Sequence, residues 1–240
     1  MNANTEVEKK FFVADEASFS SILYPFTFGN TFCGYLLRPN KPKERRYYYF
    51  DTFEGDLTER NIRTGSGLLE KDSISVSARK RETDCVLTVK IPLLMEKDTR
   101  TENELFIEPA EGTLESIDLV VPAPLRLKGW EPLQKIYALI RNKPLQRIIE
   151  LNVCTHRIDL LAGDSRVAEI SFDQVKGEGI FYSPKISFFE LEVEAKTEEG
   201  ISNLEKLVTE IKKIPRGILI ESPLPKWIKT VRLMRGEKIY

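Results

Sequence analysis

The first strand-like run, Glu6-Val7-Glu8-Lys9-Lys10-Phe11-Phe12-Val13, constrains the fold more than any other part of the chain. Side chains alternate faces along a strand, so Glu6, Glu8 and Lys10 share one face while Val7, Lys9 and Phe11 share the other. Two carboxylates and an ammonium make a poor outer surface but a good wall for a polar cavity. The pattern returns near the other end, where Glu190-Leu191-Glu192-Val193-Glu194 puts three carboxylates on one face and apolar residues on the other. Facing each other, the two strands gather five acidic groups, and carboxylates that close repel unless a cation lies between them.

Strand-like segments outnumber helical ones. Strands are expected at 6–13, 47–52, 74–81, 86–91, 147–161, 166–174 and 188–196. A helix is expected over 15–24 with Asp15 as its cap, another over 131–141 with Pro132 in its first turn, and a third over 198–211 with Ile201, Leu204, Val208 and Ile211 in register. Gly163-Asp164 reads as the turn of one hairpin. Residues 53–72 are polar and glycine-containing, and 96–128 mix charges with prolines, so the first reads as loop and the second as loops with a short helix. There is no βαβ rhythm, which points to an α+β chain with a mainly antiparallel sheet, and a barrel with a wet interior accommodates the polar strand faces. The whole chain, 1–240, is expected to form a single domain with longer loops at about 53–72 and 96–128.

With 36 basic and 37 acidic residues the net charge is −1, so overall charge gives no argument for nucleic acid, and no nucleic-acid partner is expected. Cys33, Cys85 and Cys154 lack the close spacing of a zinc ribbon or disulfide framework, and the start of the chain is too charged for a signal peptide. No run is long and apolar enough to cross a membrane. A cytoplasmic protein with reduced thiols is expected.

The residues at 74–91 carry a second pattern. With Thr83-Asp84 as a two-residue turn, Arg81 pairs with Val86 and Arg79 with Thr88, so Arg79, Arg81, Thr88 and Lys90 share a face. Guanidinium groups grip phosphate bidentately and lysines act as point charges. A third pattern is Arg157 with Ala168-Glu169-Ile170-Ser171-Phe172-Asp173, whose acidic residues share a face. A fourth is Lys226-Trp227 in a proline-rich tail. Taken alone, the second and third are better met by a solvated strand face, and the fourth says nothing. The lone His156 sits on the opposite strand face from Arg157 and stays outside the site, and Gly65-Ser66-Gly67 lacks the lysine of a phosphate loop.

Taken in order, these patterns resemble the CYTH superfamily, the triphosphate tunnel metalloenzymes. EVEKKFFV resembles its E-x-E-x-K strand, YYYFDT its Y-Y-D-T segment, Arg79 and Arg81 with Leu87-Thr88-Val89-Lys90 its R-x-R and L-T-x-K hairpin, FFELEVEAK its E-L-E-x-E strand, and Lys226-Trp227 its terminal element. The arginine pair aligns either as Arg79 and Arg81 or as Ser77 and Arg79. The resemblance implies an eight-stranded closed antiparallel barrel, a tunnel, with flanking helices. It implies a cationic wall of Lys10, Arg79, Arg81, Lys90, Arg157 and Lys226 for a triphosphate. Glu6, Glu8, Glu190, Glu192 and Glu194 would hold Mg²⁺ or Mn²⁺, and Glu169 and Asp173 would complete the acidic wall. The implied activity is a metal-dependent triphosphatase acting on tripolyphosphate, thiamine triphosphate or a nucleoside triphosphate. A cyclase making cyclic AMP and a non-catalytic polyphosphate-binding module are the alternatives. The expected partner is a triphosphate-containing small molecule, and a homodimer is compatible with the pattern.

Overall fold

A computed structural model describes residues 4–55, 57, 75–80, 85–92, 99–107, 129–179, 185–214, 218–222 and 224–239. For 4–6, 75, 80, 85, 91–92, 99–103, 106–107 and 139 it describes the backbone alone. Eleven strands appear among them: β1 (Asn4–Val13), β2 (Thr31–Phe32), β3 (Tyr35–Pro39), β4 (Lys43–Asp51), β5 (Ser75–Lys80), β6 (Cys85–Pro92), β7 (Thr99–Ile107), β8 (Gln146–Ala162), β9 (Ser165–Gly179), β10 (Ile186–Ala195) and β11 (Leu219–Glu221). The helices are α1 (Glu16–Phe28), α2 (Glu131–Leu139), α3 (Glu198–Lys212) and α4 (Lys226–Met234).

Every strand pair is antiparallel. The order β8-β4-β5-β6-β7-β1-β10-β9 returns to its start, because β9 also pairs with β8. Each of these eight strands therefore has a hydrogen-bonded neighbour on both sides. The β2–β3 hairpin extends beside β8, and β11 beside the second half of β1.

Local chemistry accounts for the boundaries. Asp15 caps α1 by accepting a hydrogen bond from the Ser18 N–H at 2.7 Å, as expected. Thr197 does the same for α3 from the Gly200 N–H at 3.1 Å. The Gly163-Asp164 turn joins β8 to β9, with Gly163 at φ +59°, the first-position geometry that suits a tight hairpin. The β2–β3 hairpin turns through Cys33 and Gly34, both at positive φ. Sequence reading passed over it, because cysteine replaces the usual Asn or Asp at the first turn position.

Three expectations need correction. Part of 96–128 is a strand, β7, where loops and a short helix were expected; its Thr-Arg-Thr-Glu-Asn-Glu run has polar residues on both faces and so lacks a strand's alternation. The β5–β6 register pairs Arg79 with Val86 and Ser77 with Thr88, two residues from the expected pairing. A shift of two keeps every side chain on its face. Finally, the tail after Pro225 is a helix, α4. Loop 53–72 lies mostly outside the described residues, as does the remainder of 96–128.

Two apolar clusters flank the ring. On one side α1 and α3 bury Phe19, Ile22, Leu204, Leu207, Val208 and Ile211 against Phe11, Ile170, Phe172, Leu191 and Val193. Leu207 takes the place expected for Ile201, which is half-exposed. On the other side α2 buries Leu133 and Ile136 in a cluster with Phe50, Val76, Ala78, Leu87 and Val89. That cluster also contains Leu151, Val175 and Phe188 with Trp227, Ile228 and Val231 of α4. Leu151, Val175 and Phe188 share strand parity with Arg157, Asp173 and Glu192. The inner face thus turns apolar at one end, where α4 packs on it. Gly177 lets the helix approach: a Cβ there would lie 2.7 Å from Thr230 Cγ2.

Candidate functional site: a charged cavity inside the strand ring

Alternation decides which side chains point inward, and register decides who neighbours whom. Across β8, β9, β10 and β1 the inward positions form rows. One row runs Asp159, Glu169, Glu194, Glu8. The next runs Arg157, Ser171, Glu192, Lys10. The third runs Thr155, Asp173, Glu190, Phe12, and lies nearest the apolar end. Side chains directly opposite on adjacent strands sit about 5 Å apart at Cβ. Four carboxylates in line therefore require cations, and the structure supplies them. Arg38 and Arg166 contact Asp159 at 3.0 and 3.4 Å. Arg166 and Arg157 contact Glu169 at 3.2 and 3.6 Å. Lys196 pairs with Glu194, and Lys10 lies 2.9 Å from Glu8. Burial pushes the Asp159 carboxyl up, but hydrogen bonds from Asn40 and Arg38, with Arg157 and Arg166 beside it, hold it below its ordinary value.

The opposite wall is built by β4, β5, β6 and β7. It presents Arg45, Tyr47, Tyr49, Ser77, Arg79, Thr88, Lys90 and Glu104 to a cavity of about 240 Å³. Glu8, Lys10, Glu169, Asp173, Glu192, Glu194 and Lys226 line the same cavity. Most of the expected site residues are thus brought together. Arg157 is on the inner face, with its guanidinium turned to Asp159 and Glu169. Glu6 pairs by backbone register with Arg100 of β7, and its side chain lies outside what is described. Arg81 lies outside the described residues; of the two arginine alignments, both Ser77 and Arg79 reach the cavity. His156 packs its ring 6.3 Å from Phe19 on the outer side, away from the site as expected. Asp51, from the YYYFDT segment, is fully buried and accepts the backbone N–H groups of Thr52 and Leu57 at 2.7 and 2.8 Å. Its work is to hold the chain as it leaves β4.

The densest charge lies where α4 meets the acidic wall. Single carboxylate oxygens of Asp173, Glu190 and Glu192 lie within 4.8 Å of one another. Lys226, at the start of α4, places Nζ 2.9 Å from Asp173 Oδ2, 2.8 Å from Glu190 Oε1 and 2.8 Å from Glu192 Oε2. Lys10 also pairs with Glu192. Burial pushes the Glu192 carboxyl up, yet Lys10 and Lys226 outweigh it and hold it well below the ordinary value. Burial pulls the Lys226 ammonium down, and Asp173, Glu190 and Glu192 together raise it well above. Glu190 differs from the other expected ligands. It has no exposed surface, and it forms a second ion pair with Lys229, which is also fully buried.

Sequence reading missed Arg45, Tyr47, Tyr49, Glu104 and Lys229. The first three share one strand parity in Lys43–Asp51: the expected strand, 47–52, contained Tyr47 and Tyr49 but stopped short of Arg45. Glu104 fell in the unrecognised β7. Lys229 had no sequence signal, because a lysine one helical turn after Lys226 reads as solvated surface.

The donor set suits a hard cation. It consists of carboxylate oxygens, which Mg²⁺ and Mn²⁺ prefer, and the buried Asp173 Oδ1 accepts no hydrogen bond among the described residues.

No family model matches the chain, and no curated relative does. Solved structures do. A Bacillus halodurans protein described provisionally as an adenylate cyclase shares 16% identity, with 95% of this chain and 98% of that one covered, at a TM-score of 0.55. A Hippeastrum protein, provisionally an adenylyl cyclase with a dominant triphosphatase activity, shares 13% identity over 97% of each chain, at 0.49. An RNA triphosphatase from S. pombe shares 13% identity over 98% of this chain and 85% of its own, at 0.37. At these identities the likeness is one of fold: the chain folds like the Bacillus halodurans protein.

Proposed function

We propose that the chain is a divalent-metal-dependent triphosphatase that releases orthophosphate from a triphosphate held inside an eight-stranded barrel. One observation carries the reading: a single cavity lined both by Glu8, Glu169, Asp173, Glu192 and Glu194 and by Arg45, Arg79, Lys90, Lys10 and Lys226. A pure anion binder gains nothing from so many carboxylates, whereas a metal-bridged phosphate needs both walls. The cyclic strand pairing supports the barrel, since a sheet with no free edge encloses what its inner face presents.

The residues divide the work. Asp173, Glu190 and Glu192, with Glu8 one strand away, would hold Mg²⁺ or Mn²⁺, which supplies charge neutralisation at phosphate oxygens. Arg79, Lys90 and Lys10 grip the phosphates and stabilise charge that grows on them as the bond breaks. Arg45 reaches the cavity and also borders an outer groove with Arg46 and Lys176, which makes it the entry-side cation. Phosphoryl transfer needs positioning and electrostatics more than covalent chemistry, and these walls supply both.

Adenylate cyclisation is the second reading, favoured by the likeness of fold to the Bacillus halodurans protein. Incubation with tripolyphosphate and with ATP, each with Mg²⁺ or Mn²⁺, separates the two. Orthophosphate supports the triphosphatase, and pyrophosphate with cyclic AMP supports the cyclase. Tight binding of both compounds with no product at all sinks both and leaves a binding module.

A further inference from the structure

The three carboxylates that suit a divalent ion already surround a cation, the ammonium of Lys226. Its Nζ is within 2.9 Å of an oxygen from each of Asp173, Glu190 and Glu192. A metal ligated by the same oxygens needs separations of about 2.0–2.6 Å and would sit almost on top of that ammonium. Two positive charges cannot share the position, so occupancy by one excludes the other.

The surroundings show which part moves. Lys229 lies three residues on, on the same side of α4, and its buried pair with Glu190 ties the helix to β10. Trp227, Ile228 and Val231 are also buried, so the body of α4 is fixed. The Lys226 side chain keeps 15% of its surface exposed and borders the cavity. A flexible four-carbon stem on a fixed helix can swing its charge between two anionic neighbours.

We infer that Lys226 is a tethered cation: it holds the three carboxylates together in the metal-free protein and transfers to the triphosphate when the divalent ion enters. This rests on the triphosphatase reading and adds a consequence. Metal alone must draw the lysine away from three carboxylates with no new anion in exchange, so it binds weakly. A triphosphate gives the evicted ammonium an anion, so metal and triphosphate strengthen each other's binding, and by linkage equally. Lys226 is a positioning residue that makes site assembly depend on both.

The test uses the full chain stripped of metal with EDTA and desalted. Mn²⁺ binding is followed by the electron paramagnetic signal of the free ion, without phosphate, in the wild type and in Lys226→Met. The variant is expected to bind Mn²⁺ about tenfold tighter or more, within the ~5–150-fold span of typical couplings. A lysine that merely supported the fold would weaken the site when removed. Equal or weaker binding by a folded variant overturns the inference while leaving the metal site standing. Absence of Mn²⁺ binding in both proteins removes the metal site, and the inference with it. Should Lys226→Met not fold, Trp130→Phe leaves Trp227, beside Lys226, as the sole tryptophan. Mg²⁺ is then expected to shift its emission saturably, and an unchanged emission overturns the displacement.

Discussion

The fully buried Lys229–Glu190 pair is the most exacting place to test the energetics. Neither side chain has exposed surface. Burial pulls the Lys229 ammonium below its ordinary pKa; Glu190 offsets part of this, while Lys10 and Lys226 add to it. An ammonium buried this completely is tolerated only beside its carboxylate partner. Glu190→Gln keeps the shape and removes the charge, leaving a buried ammonium against a neutral amide. Breaking one side of such a pair costs about 3–5 kcal/mol, and the remaining amide oxygen places this case near the lower limit. Lys229→Met should cost less, about 1–3 kcal/mol, because Glu190 keeps Lys226 at 2.8 Å. The double variant leaves no uncompensated charge: the glutamine can accept from Lys226, and methionine fills the lysine's volume. Its stability should return to within about 1 kcal/mol of the wild type, giving a coupling of at least about 3 kcal/mol. Urea unfolding of the metal-free proteins, followed by circular dichroism with m-values compared, measures each corner of the cycle. Additive single effects would refute the argument, because the two residues would then not form an energetic unit.

Four further outcomes are expected. Glu8→Gln, Asp173→Asn and Glu192→Gln should each abolish Mg²⁺-dependent phosphate release while the circular dichroism spectrum is kept, since an amide is a poorer ligand for a hard cation. Arg79→Ala should lower kcat/KM by about 2–4 kcal/mol in transition-state stabilisation, whereas Lys80→Ala, one position on and so on the other strand face, should change it little; the reverse result would place the cavity on the wrong face of β5. Gly200→Ala should destabilise by about 3 kcal/mol in thermal unfolding, because its Cβ would lie 2.0 Å from the Val167 carbonyl oxygen, backbone that cannot yield. Finally, Glu192 binds its proton less readily folded than unfolded, so its contribution to stability is complete above the ordinary glutamate value of 4.5 and is lost as pH falls through the lower folded value; Lys226→Met should shrink that acid-side loss in a pH series of melting temperatures.

Much of the site could be read from the chain because a strand's period of two is written locally. Glu8 with Lys10, Arg79 with Thr88 and Lys90, Glu169 with Ser171 and Asp173, and Glu192 with Glu194 were placed on common faces without knowing any strand's neighbour. The error in the β5–β6 register left those faces intact for the same reason, since a slip of two residues preserves parity. β7 escaped because its polar residues fall on both faces, so periodicity had nothing to register. The α4 spacing of Trp227, Ile228, Val231 and Met234 is helical, but the proline-rich approach to it reads as a tail.

Local alternation settles which residues share a face, and through that the existence of an acidic and a cationic wall. Tertiary structure alone decided how the walls are filled. Whether Asp159, Glu169, Glu194 and Glu8 line up depends on the order β8-β9-β10-β1, in which two pairs join consecutive strands but the last, β10 with β1, joins opposite ends of the chain. That Lys226 enters the acidic cluster, and that Lys229 is wholly buried against Glu190, depends on α4 packing at one end of the inner face. No local pattern encodes either contact, because a buried charge is tolerated only where the fold brings its counter-charge, and that meeting is a property of the assembled molecule.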